Sequence, residues 1–311
     1  MKMTSTKGIL EIQLKYLFRF ILVLTFCFLF IMISGCSKPR GLDAASIKVN
    51  NKTYALIIGV GQYKTADYHT QYASNDASGI ANELSTIYGK NAIKLLQNSE
   101  ATKTQIQDGI QNWLGLQAEV NSTAIIYFAG SGTMDNLLLP YDTVQGSDNS
   151  DINPQEFETW VSSVKSKNVV IILDSCFSGN FAEAIEHNGS TSIVITGGSD
   201  GELCWQSDAF KHGVFSYYLI DALNNIQNVD KNNDGIITIN ELFTYISDKI
   251  QEDYVKAPPP SPQHPEIINP AGNDLELFQI TKKSVKDFQF SIKATICDER
   301  DGFKMVISKL S

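Results

Sequence analysis

The stretch "NVVIILDSCFSGN", residues 168–180, contains the pattern that decides the fold of this chain. Its apolar run has no polar alternation, which is typical of a parallel strand buried on both faces of a sheet. The run ends in a short polar turn that holds Cys176. The stretch "STAIIYFAGSGTMDN", residues 122–136, repeats the pattern and ends in a turn with Ser131 between two glycines. The two stretches predict two buried strands that each end in a polar turn.

Strand-like and helix-like segments alternate along the rest of the chain. The strand-like segments lie at 53–61, 91–97, 191–199 and 274–280, the helix-like segments at 75–89, 102–117, 153–166, 213–226 and 237–254, and a proline-rich loop at 257–273. This alternation predicts an α/β fold with a parallel sheet covered by helices on both faces. Ligands of such sheets bind outside the carboxyl ends of the strands. We therefore expect the two polar turns to form one site.

Composition and charge limit the classes of function. The chain has 311 residues, of which 43% are hydrophobic and 19% are charged, as in a globular protein with a substantial core. Its formal net charge of -9 and its pI near 5.0 argue against a nucleic-acid-binding protein. The acidic balance is compatible with basic substrates.

The first 35 residues resemble the signal peptide of a bacterial lipoprotein. Basic residues precede an almost wholly apolar segment, which ends in "ISGC" at residues 33–36. The resemblance implies that Cys36 is diacylated and becomes the mature N-terminus, followed by a polar tether over residues 36–51. It also implies export, with sorting to the outer membrane in didermal bacteria because Ser37 is not an aspartate. An uncleaved signal anchor is the alternative, since the apolar run nearly reaches membrane-spanning length.

An exported chain meets an oxidising compartment, where cysteines form disulfides. Cys176, Cys204 and Cys297 remain after the signal peptide and the lipid-modified cysteine are set aside. Their odd number gives no complete disulfide framework. A bridge between Cys204 and Cys297 is allowed by counting alone.

Cys176 lies in "DSCFSG", a setting that suits a nucleophile. A nucleophilic cysteine needs a sharp turn, backbone amides that can hold an oxyanion, and a cause that lowers its pKa. A buried cysteine at the end of a strand is the alternative.

Six motifs in sequence order resemble the caspase and metacaspase family of cysteine peptidases, across roughly residues 52–280. They are "YALIIGVGQY" (54–63), "ASNDASGIANEL" (73–84), "IIYFAGSG" (125–132), "LLLPYD" (137–142), "VVIILDSCFSG" (169–179) and "GVFSYYLIDAL" (213–223). The resemblance implies a three-layer caspase-like fold with a mostly parallel six-stranded sheet and helices on both faces. Residues 281–311 are then a C-terminal extension, either an extra strand pair or a frayed tail.

The resemblance also implies a catalytic dyad in which Cys176 attacks the scissile carbonyl group. A histidine at the end of the neighbouring strand handles the protons in the family, but that position here holds Ser131, which is followed by Gly132. A serine hydroxyl is no base near neutral pH. The loss of general acid–base help typically removes about 10²- to 10⁴-fold in rate.

Three other histidines are candidates for the general base that Ser131 does not supply. His69 follows the first strand, His187 follows the Cys176 turn, and His212 precedes a helix. Each is expected to be an exposed loop residue rather than a catalytic one. Of the three, His69 is on the loop that should border the cleft.

The resemblance further implies an acidic specificity pocket. Asp76 in the first helix and Asp174, two residues before Cys176, stand at positions that line the primary pocket of metacaspases. Two carboxylates suit the side chain of Arg or Lys. The alternatives are that Asp76 caps its helix and that neighbouring amides fix Asp174.

Residues 230–241, "DKNNDGIITINE", match the template of an EF-hand calcium loop. The predicted Ca²⁺ ligands are Asp230, Asn232, Asp234, the carbonyl oxygen of Ile236, Thr238 and Glu241. Helical patterns flank the loop, but it lacks the second loop with which EF-hands usually pair. The alternative is an acidic, Asn-rich surface turn.

Two functions fit these patterns. The first is a membrane-anchored caspase-like cysteine endopeptidase with a preference for Arg or Lys, whose activity Ser131 puts in doubt. The second is an inactive pseudo-peptidase that binds peptides or proteins with basic residues at the membrane. A calcium-stabilised lipoprotein with an idle cleft is a further alternative.

Overall fold

The computed structural model describes residues 45–49, 51–64, 68, 70–147, 150–187, 192–256, 261–282, 290–294 and 305–309. The strands in these ranges are β1 (Ala45–Lys48), β2 (Thr53–Gly59), β3 (Ile93–Gln97), β4 (Thr123–Gly130), β5 (Asn168–Ser175), β6 (Ile193–Thr196), β7 (Gln206–Ser207), β8 (His212–Gly213), β9 (Ile236–Thr238), β10 (Glu266–Ile268), β11 (Glu276–Lys282), β12 (Phe290–Ala294) and β13 (Met305–Lys309). The helices are α1 (Ala73–Tyr88), α2 (Lys103–Asp108), α3 (Gly115–Gln117), α4 (Pro154–Val161), α5 (Ser178–His187), α6 (Val214–Asn224), α7 (Ile226–Val229) and α8 (Ile239–Lys256). A π-helical segment, Gly109–Leu114, joins α2 to α3, and 3-10 turns lie at Lys90–Ala92 and Asn98–Glu100.

The central sheet has six strands in the order β10-β6-β5-β4-β2-β3. The pairs from β6 through β3 are all parallel, and β10 alone runs antiparallel to its neighbour β6. The carboxyl ends of β4 and β5 therefore meet at one edge of the sheet. The predicted α/β class and the mostly parallel six-stranded sheet are confirmed.

Side chains of the central strands alternate between two cores, because successive Cβ atoms of a strand point to opposite faces. In β4, Ile125 and Tyr127 enter one core, and Ile126 and Phe128 enter the other. The first core is covered by α1, α6 and α8, and the second by the segment from α2 to α3, by α4 and by α5. Full burial of one such side chain contributes about 1.5–3 kcal/mol. Burial on both faces explains why β4 and β5 read as continuous apolar runs.

The sixth strand does not lie where the sequence predicts it. β10 falls within the segment predicted as a proline-rich loop, and Glu266 pairs with Thr196 of β6. The strand predicted at 274–280 forms as β11 but belongs to a separate sheet, ordered β1-β11-β9. Prolines are tolerated beside β10 because an edge strand has one row of N–H groups without a strand partner.

The ends of the chain add two further features. β1 falls within the segment predicted as a tether, and its sheet packs on the first core through residues such as Ile237 and Phe278. A second compact unit contains β12 and β13, which pair antiparallel from Phe290 with Lys309 to Ala294 with Met305. Within the described ranges, no helix combines the length and apolar character needed to cross a membrane.

Candidate functional site

The turns after β4 and β5 lie side by side at the carboxyl edge of the sheet. Gly130, the last residue of β4, is in register with Ser175, the last residue of β5. Ser131 and Cys176 come directly after them. A Cβ atom on Gly132 would lie 2.3 Å from the carbonyl oxygen of Cys176, which is closer than any side chain allows. The structure therefore brings the Ser131–Gly132 turn against Cys176, and glycine is required at their contact.

Cys176 sits on a tight turn but is weakly activated. Phe177 has a positive φ of 58°, and its backbone N–H donates to the carbonyl oxygen of Glu202 at 2.9 Å, which fixes the turn. Burial raises the pKa of the Cys176 thiol, the backbone N–H of Cys204 opposes this rise, and the charge of Asp174 adds to it. Because the thiolate is the nucleophilic form, this environment leaves little reactive sulfur at neutral pH.

Ser131 is held by its backbone rather than by a catalytic partner. Its N–H donates to the hydroxyl oxygen of Tyr63 at 2.8 Å, and its carbonyl oxygen accepts from the N–H of Leu139 at 3.0 Å. Burial raises the pKa of Tyr63, so this phenol stays neutral and is no base near neutral pH. The position at which the caspase resemblance implies a histidine thus holds groups that do not take up a proton near neutral pH.

Of the three candidate substitute bases, His212 and His187 do not lie in exposed loops, and His69 lies outside the described residues. His212, in β8, is 24% exposed and its Nδ1 lies 2.7 Å from Oδ1 of Asp76, so the expectation of an exposed loop residue is wrong for it. His187 is the last residue of α5, although it was expected in a loop. His69 is not among the described residues.

Asp76 and Asp174 converge on Gly213 at the start of α6. A Cβ atom on Gly213 would lie 2.7 Å from Oδ2 of Asp174 and 3.2 Å from Oδ2 of Asp76. The two residues are only 1% (Asp76) and 7% (Asp174) exposed. Asp76 accepts hydrogen bonds from the N–H of Gly213 at 3.1 Å in addition to its contact with His212, and the hydroxyl of Ser216 donates to Oδ2 of Asp174. Each acid therefore already has partners inside the chain.

The two carboxyl groups influence one another's ionisation. Burial raises the pKa of Asp174 to about 7, and the charge of Asp76 adds to this rise, while bonds from Ser216 and Cys204 oppose it. Burial also raises the pKa of Asp76, against the lowering effect of His212 and Gly213. Asp174 is thus the carboxyl group whose charge changes near neutral pH.

The alternatives for these two acids do not describe their contacts. The N-cap residue of α1 is Tyr72, and Asp76 lies within the first turn of the helix, so the prediction that it caps the helix is wrong. Asp174 is bound by the side chains of Ser216 and Cys204 as well as by the backbone of Ser216, so amides alone do not fix it.

The candidate calcium loop has the turns that its sequence template requires. The N–H groups of Gly235, Asp234 and Ile236 donate to the side chains of Asp230, Asn232 and Asp234 at 3.2, 2.9 and 2.7 Å. Gly235 has a φ of +83°, which favours glycine. β9, inside the loop, pairs antiparallel with β11, so a strand of this domain takes the place that a second EF-hand loop would fill.

The oxygen ligands of this loop are of the kind that binds calcium, but its acidic side chains do not converge on one point. Oε2 of Glu241 accepts from the N–H and hydroxyl of Thr238 at 3.2 and 3.3 Å. Its other oxygen, Oε1, is buried with no hydrogen-bond partner among the described residues. In the same ranges, no three His, Cys, Asp or Glu side chains cluster closely enough to hold a metal ion. An oxygen-rich set with one orphaned carboxylate oxygen suits Ca²⁺, which prefers oxygen ligands.

Three site residues escaped the sequence reasoning because their roles depend on long-range packing. Cys204 donates its S–H to the carbonyl oxygen of Ser175 at 3.1 Å. His264, in the proline-rich segment, has its Nδ1 2.7 Å from Oε1 of Glu202. Tyr63 ends the motif at residues 54–63, and its sequence position does not show that its hydroxyl binds Ser131. The position of His264 follows from β10, the strand just after it, and the sequence did not predict β10.

Two predicted cysteine roles fall outside the described residues. Cys36, the predicted lipidation site, and Cys297, which counting alone allows as a partner of Cys204, are both there. These two roles stay predictions.

Comparison with known proteins gives the family. A family model described as the caspase domain matches residues 52–270, which is well over half of the chain. The crystal structure of protein GSU0716 from Geobacter sulfurreducens is similar, with a TM-score of 0.49 and 15% sequence identity over 70% of this chain and 92% of that chain. No curated protein matches the chain. By its family match, its mostly parallel six-stranded sheet and its Cys176 turn, this chain belongs to the caspase family.

Proposed function

We propose that the caspase domain of this protein binds peptide segments and that its cleavage step is disabled. The proposal is carried by the place of Ser131 beside the Cys176 turn. The resemblance to caspases implies a catalytic histidine at this position. The Ser131 hydroxyl takes no proton from a thiol near neutral pH. A cysteine with a raised pKa and no neighbouring imidazole lacks both usual causes of activation.

The chemistry of the pocket supports a basic peptide as the ligand. Asp76 and Asp174 are the charged side chains that meet at Gly213, and both are acidic. A guanidinium or ammonium group near Asp174 would favour its ionised form and so lower its pKa from about 7. Asp76 contributes less to such a ligand because His212 and Gly213 already bind its oxygens.

A slow endopeptidase with a substitute base is the second candidate, and His264 supports it. Glu202 accepts from His264 through its carboxylate, and its carbonyl oxygen accepts from Phe177, the residue after Cys176. The base of a nucleophilic cysteine is usually oriented by a third group, and Glu202 would orient His264 in that way. If this second candidate holds, the wild type cleaves slowly and His264→Ala abolishes that cleavage.

Calcium is proposed as a stabilising ion of the same domain. Asp230, Asn232, Asp234 and Glu241 would supply side-chain oxygens, and Ile236 a carbonyl oxygen, with Thr238 at the ninth loop position. The bound ion would supply positive charge that ties the loop to the start of α8. The orphaned Oε1 of Glu241 supports this assignment.

Attachment to a bacterial membrane through lipid on Cys36 is proposed from the sequence pattern at residues 33–36. Such an anchor would hold the peptide-binding cleft near the membrane surface. Two acyl chains give firm attachment, whereas a single chain gives only marginal binding.

The proposed function is tested by measuring binding and cleavage on the same peptides. A fluorescent peptide with a central arginine and its citrulline counterpart have nearly the same shape but differ in charge. Fluorescence anisotropy should show tighter binding of the arginine peptide, and chromatography should show it intact after prolonged incubation. Equal binding of the two peptides would contradict the acidic pocket, and rapid cleavage would contradict the disabled step.

A further inference from the structure

Cys176 has a second cysteine beside it that the peptidase chemistry does not use. A hydrogen bond from the backbone N–H of Cys204 lowers the pKa of the Cys176 thiol, against the larger effect of burial. The S–H of Cys204 donates to the carbonyl oxygen of Ser175, the residue before Cys176, at 3.1 Å. The Cys204 thiol therefore lies against the backbone next to Cys176, the Cys204 backbone reaches the Cys176 sulfur, and both thiols are free.

The geometry points to Cys176 and Cys204 as the two halves of a reversible intramolecular disulfide that blocks the candidate nucleophile. This site goes beyond peptide binding and does not depend on it. Disulfide formation requires Cα atoms about 4.4–6.8 Å apart, a separation compatible with residues in direct contact. The bond would replace the Cys204 hydrogen bond to Ser175 and tie the 199–204 loop to the Cys176 turn.

The chemistry balances with a small disulfide such as glutathione disulfide as the oxidant. The Cys176 thiolate attacks one glutathione sulfur, which breaks the S–S bond and releases the first glutathione as a thiol. The Cys204 thiolate then attacks the Cys176 sulfur of the mixed disulfide and releases the second glutathione. Two protein thiols lose two electrons and two protons in total, and one glutathione disulfide becomes two glutathione molecules.

The surroundings of the two thiols make this reaction slow rather than impossible. Burial raises the pKa of both thiols, and the Asp174 carboxyl group, which contacts Cys204, raises them further when it is ionised. Attack proceeds from the thiolate, so its small population sets the rate. The reaction with glutathione disulfide therefore needs hours of incubation, with an unfolded sample as the reference for unhindered thiols.

The sequence offers a clean measurement of this bond. Trypsin cuts after Lys167 and Lys211 and leaves residues 168–211 as one peptide that contains Cys176, Cys204 and no other cysteine. After treatment of the folded full chain with glutathione disulfide and then with iodoacetamide, the internal disulfide makes this peptide two hydrogens lighter than the reduced peptide. It also leaves the peptide without an alkyl group. A mixed disulfide instead adds the mass of one glutathione less two hydrogens, and the other cysteine carries one alkyl group.

The control variant separates the two steps. In Cys204→Ser, glutathione should stay on Cys176, because the resolving thiol is gone. In the wild type, the internal disulfide should accumulate and dithiothreitol should restore alkylation of both cysteines. Persistence of the mixed disulfide on wild-type Cys176 would overturn the proposal, as would full alkylation of the folded chain under conditions that oxidise the urea-unfolded chain.

Discussion

The Nδ1 atom of His212 lies 2.7 Å from Oδ1 of Asp76, so one carboxylate of the proposed pocket is already held by a side chain of the same domain. The second carboxylate, on Asp174, lies across Gly213 and is bound by Ser216. A peptide side chain that entered the proposed pocket would therefore compete with an internal partner on one side and with a hydroxyl on the other. This arrangement sets both the strength and the pH dependence expected of basic-peptide binding.

Replacing His212 with alanine is expected to tighten the binding of an arginine peptide, because Asp76 is then available to a guanidinium group. A gain of roughly tenfold corresponds to about 1.4 kcal/mol, just below the range of about 1.5–3 kcal/mol for a hydrogen bond to a charged group. The free energy of unfolding should fall by about 1–3 kcal/mol, since a buried acceptor loses a partner. Calorimetry with arginine and citrulline peptides measures the first effect, and urea denaturation the second. An unchanged ratio of the two affinities would show that Asp76 does not face the ligand.

Asp174 should make the domain less stable as the pH rises. Its folded pKa of about 7 lies above the value of about 3.9 expected in an unfolded chain, so the native state binds the proton more tightly. Its contribution is therefore fully present below about pH 4 and is lost as the pH rises to about 7. Asp174→Asn lacks this change, so the stability of the variant relative to the wild type should grow over that window. A difference in unfolding free energy between the two proteins that stays the same at every pH would rule out the raised pKa.

Calcium should raise the melting temperature of the wild type and should do so through Glu241. An ion present at 100 times its dissociation constant stabilises the native state by about 2.7 kcal/mol. Glu241→Gln should lose the increase in melting temperature. Glu252→Gln is the matched control, because Glu252 lies on the same helix outside the loop and pairs with Lys249 at the surface. Equal effects of calcium on both variants would remove the loop from the explanation.

Lipid attachment is expected at Cys36. Cells supplied with an alkyne-tagged fatty acid should label the wild-type chain and leave Cys36→Ala unlabelled. The variant should also move from the membrane fraction. Labelling of equal strength in both proteins would exclude the predicted site.

The layered fold could be predicted because each of its main strands carries its own signal. β4 and β5 are buried on both faces, so their apolar runs are continuous and their ends are marked by glycine or by Asp174. β10 could not be predicted, because this strand has only three residues, which are half-buried and lie in a proline-rich segment. Its pairing with β6 depends on a partner about 70 residues away, which no local pattern records.

The candidate site was predictable as a set of positions but not as a network. The register of β4 with β5 brings the predicted Ser131 and Cys176 turns together, as the motifs implied. The contacts of Cys204 and His264 come from loops whose paths are set by tertiary packing. No sequence pattern distinguishes these two residues. The structure alone shows that the Cys204 thiol lies beside the Cys176 turn and that the His264 imidazole contacts the Glu202 carboxylate.

The most direct test of the disabled cleavage step is the rate at which Ser131→His cuts an arginine peptide. The imidazole would arrive beside the Cys176 turn, and cleavage should rise by about 10²- to 10⁴-fold over the wild type, the usual size of positioned acid–base help. Ser131→Asn is the matched control, because it adds a polar side chain without a base, and Ser131→His combined with Cys176→Ala should be inert. A folded Ser131→His protein that binds the peptide yet cleaves it no faster than Ser131→Asn would contradict the claim that the missing histidine silences this site.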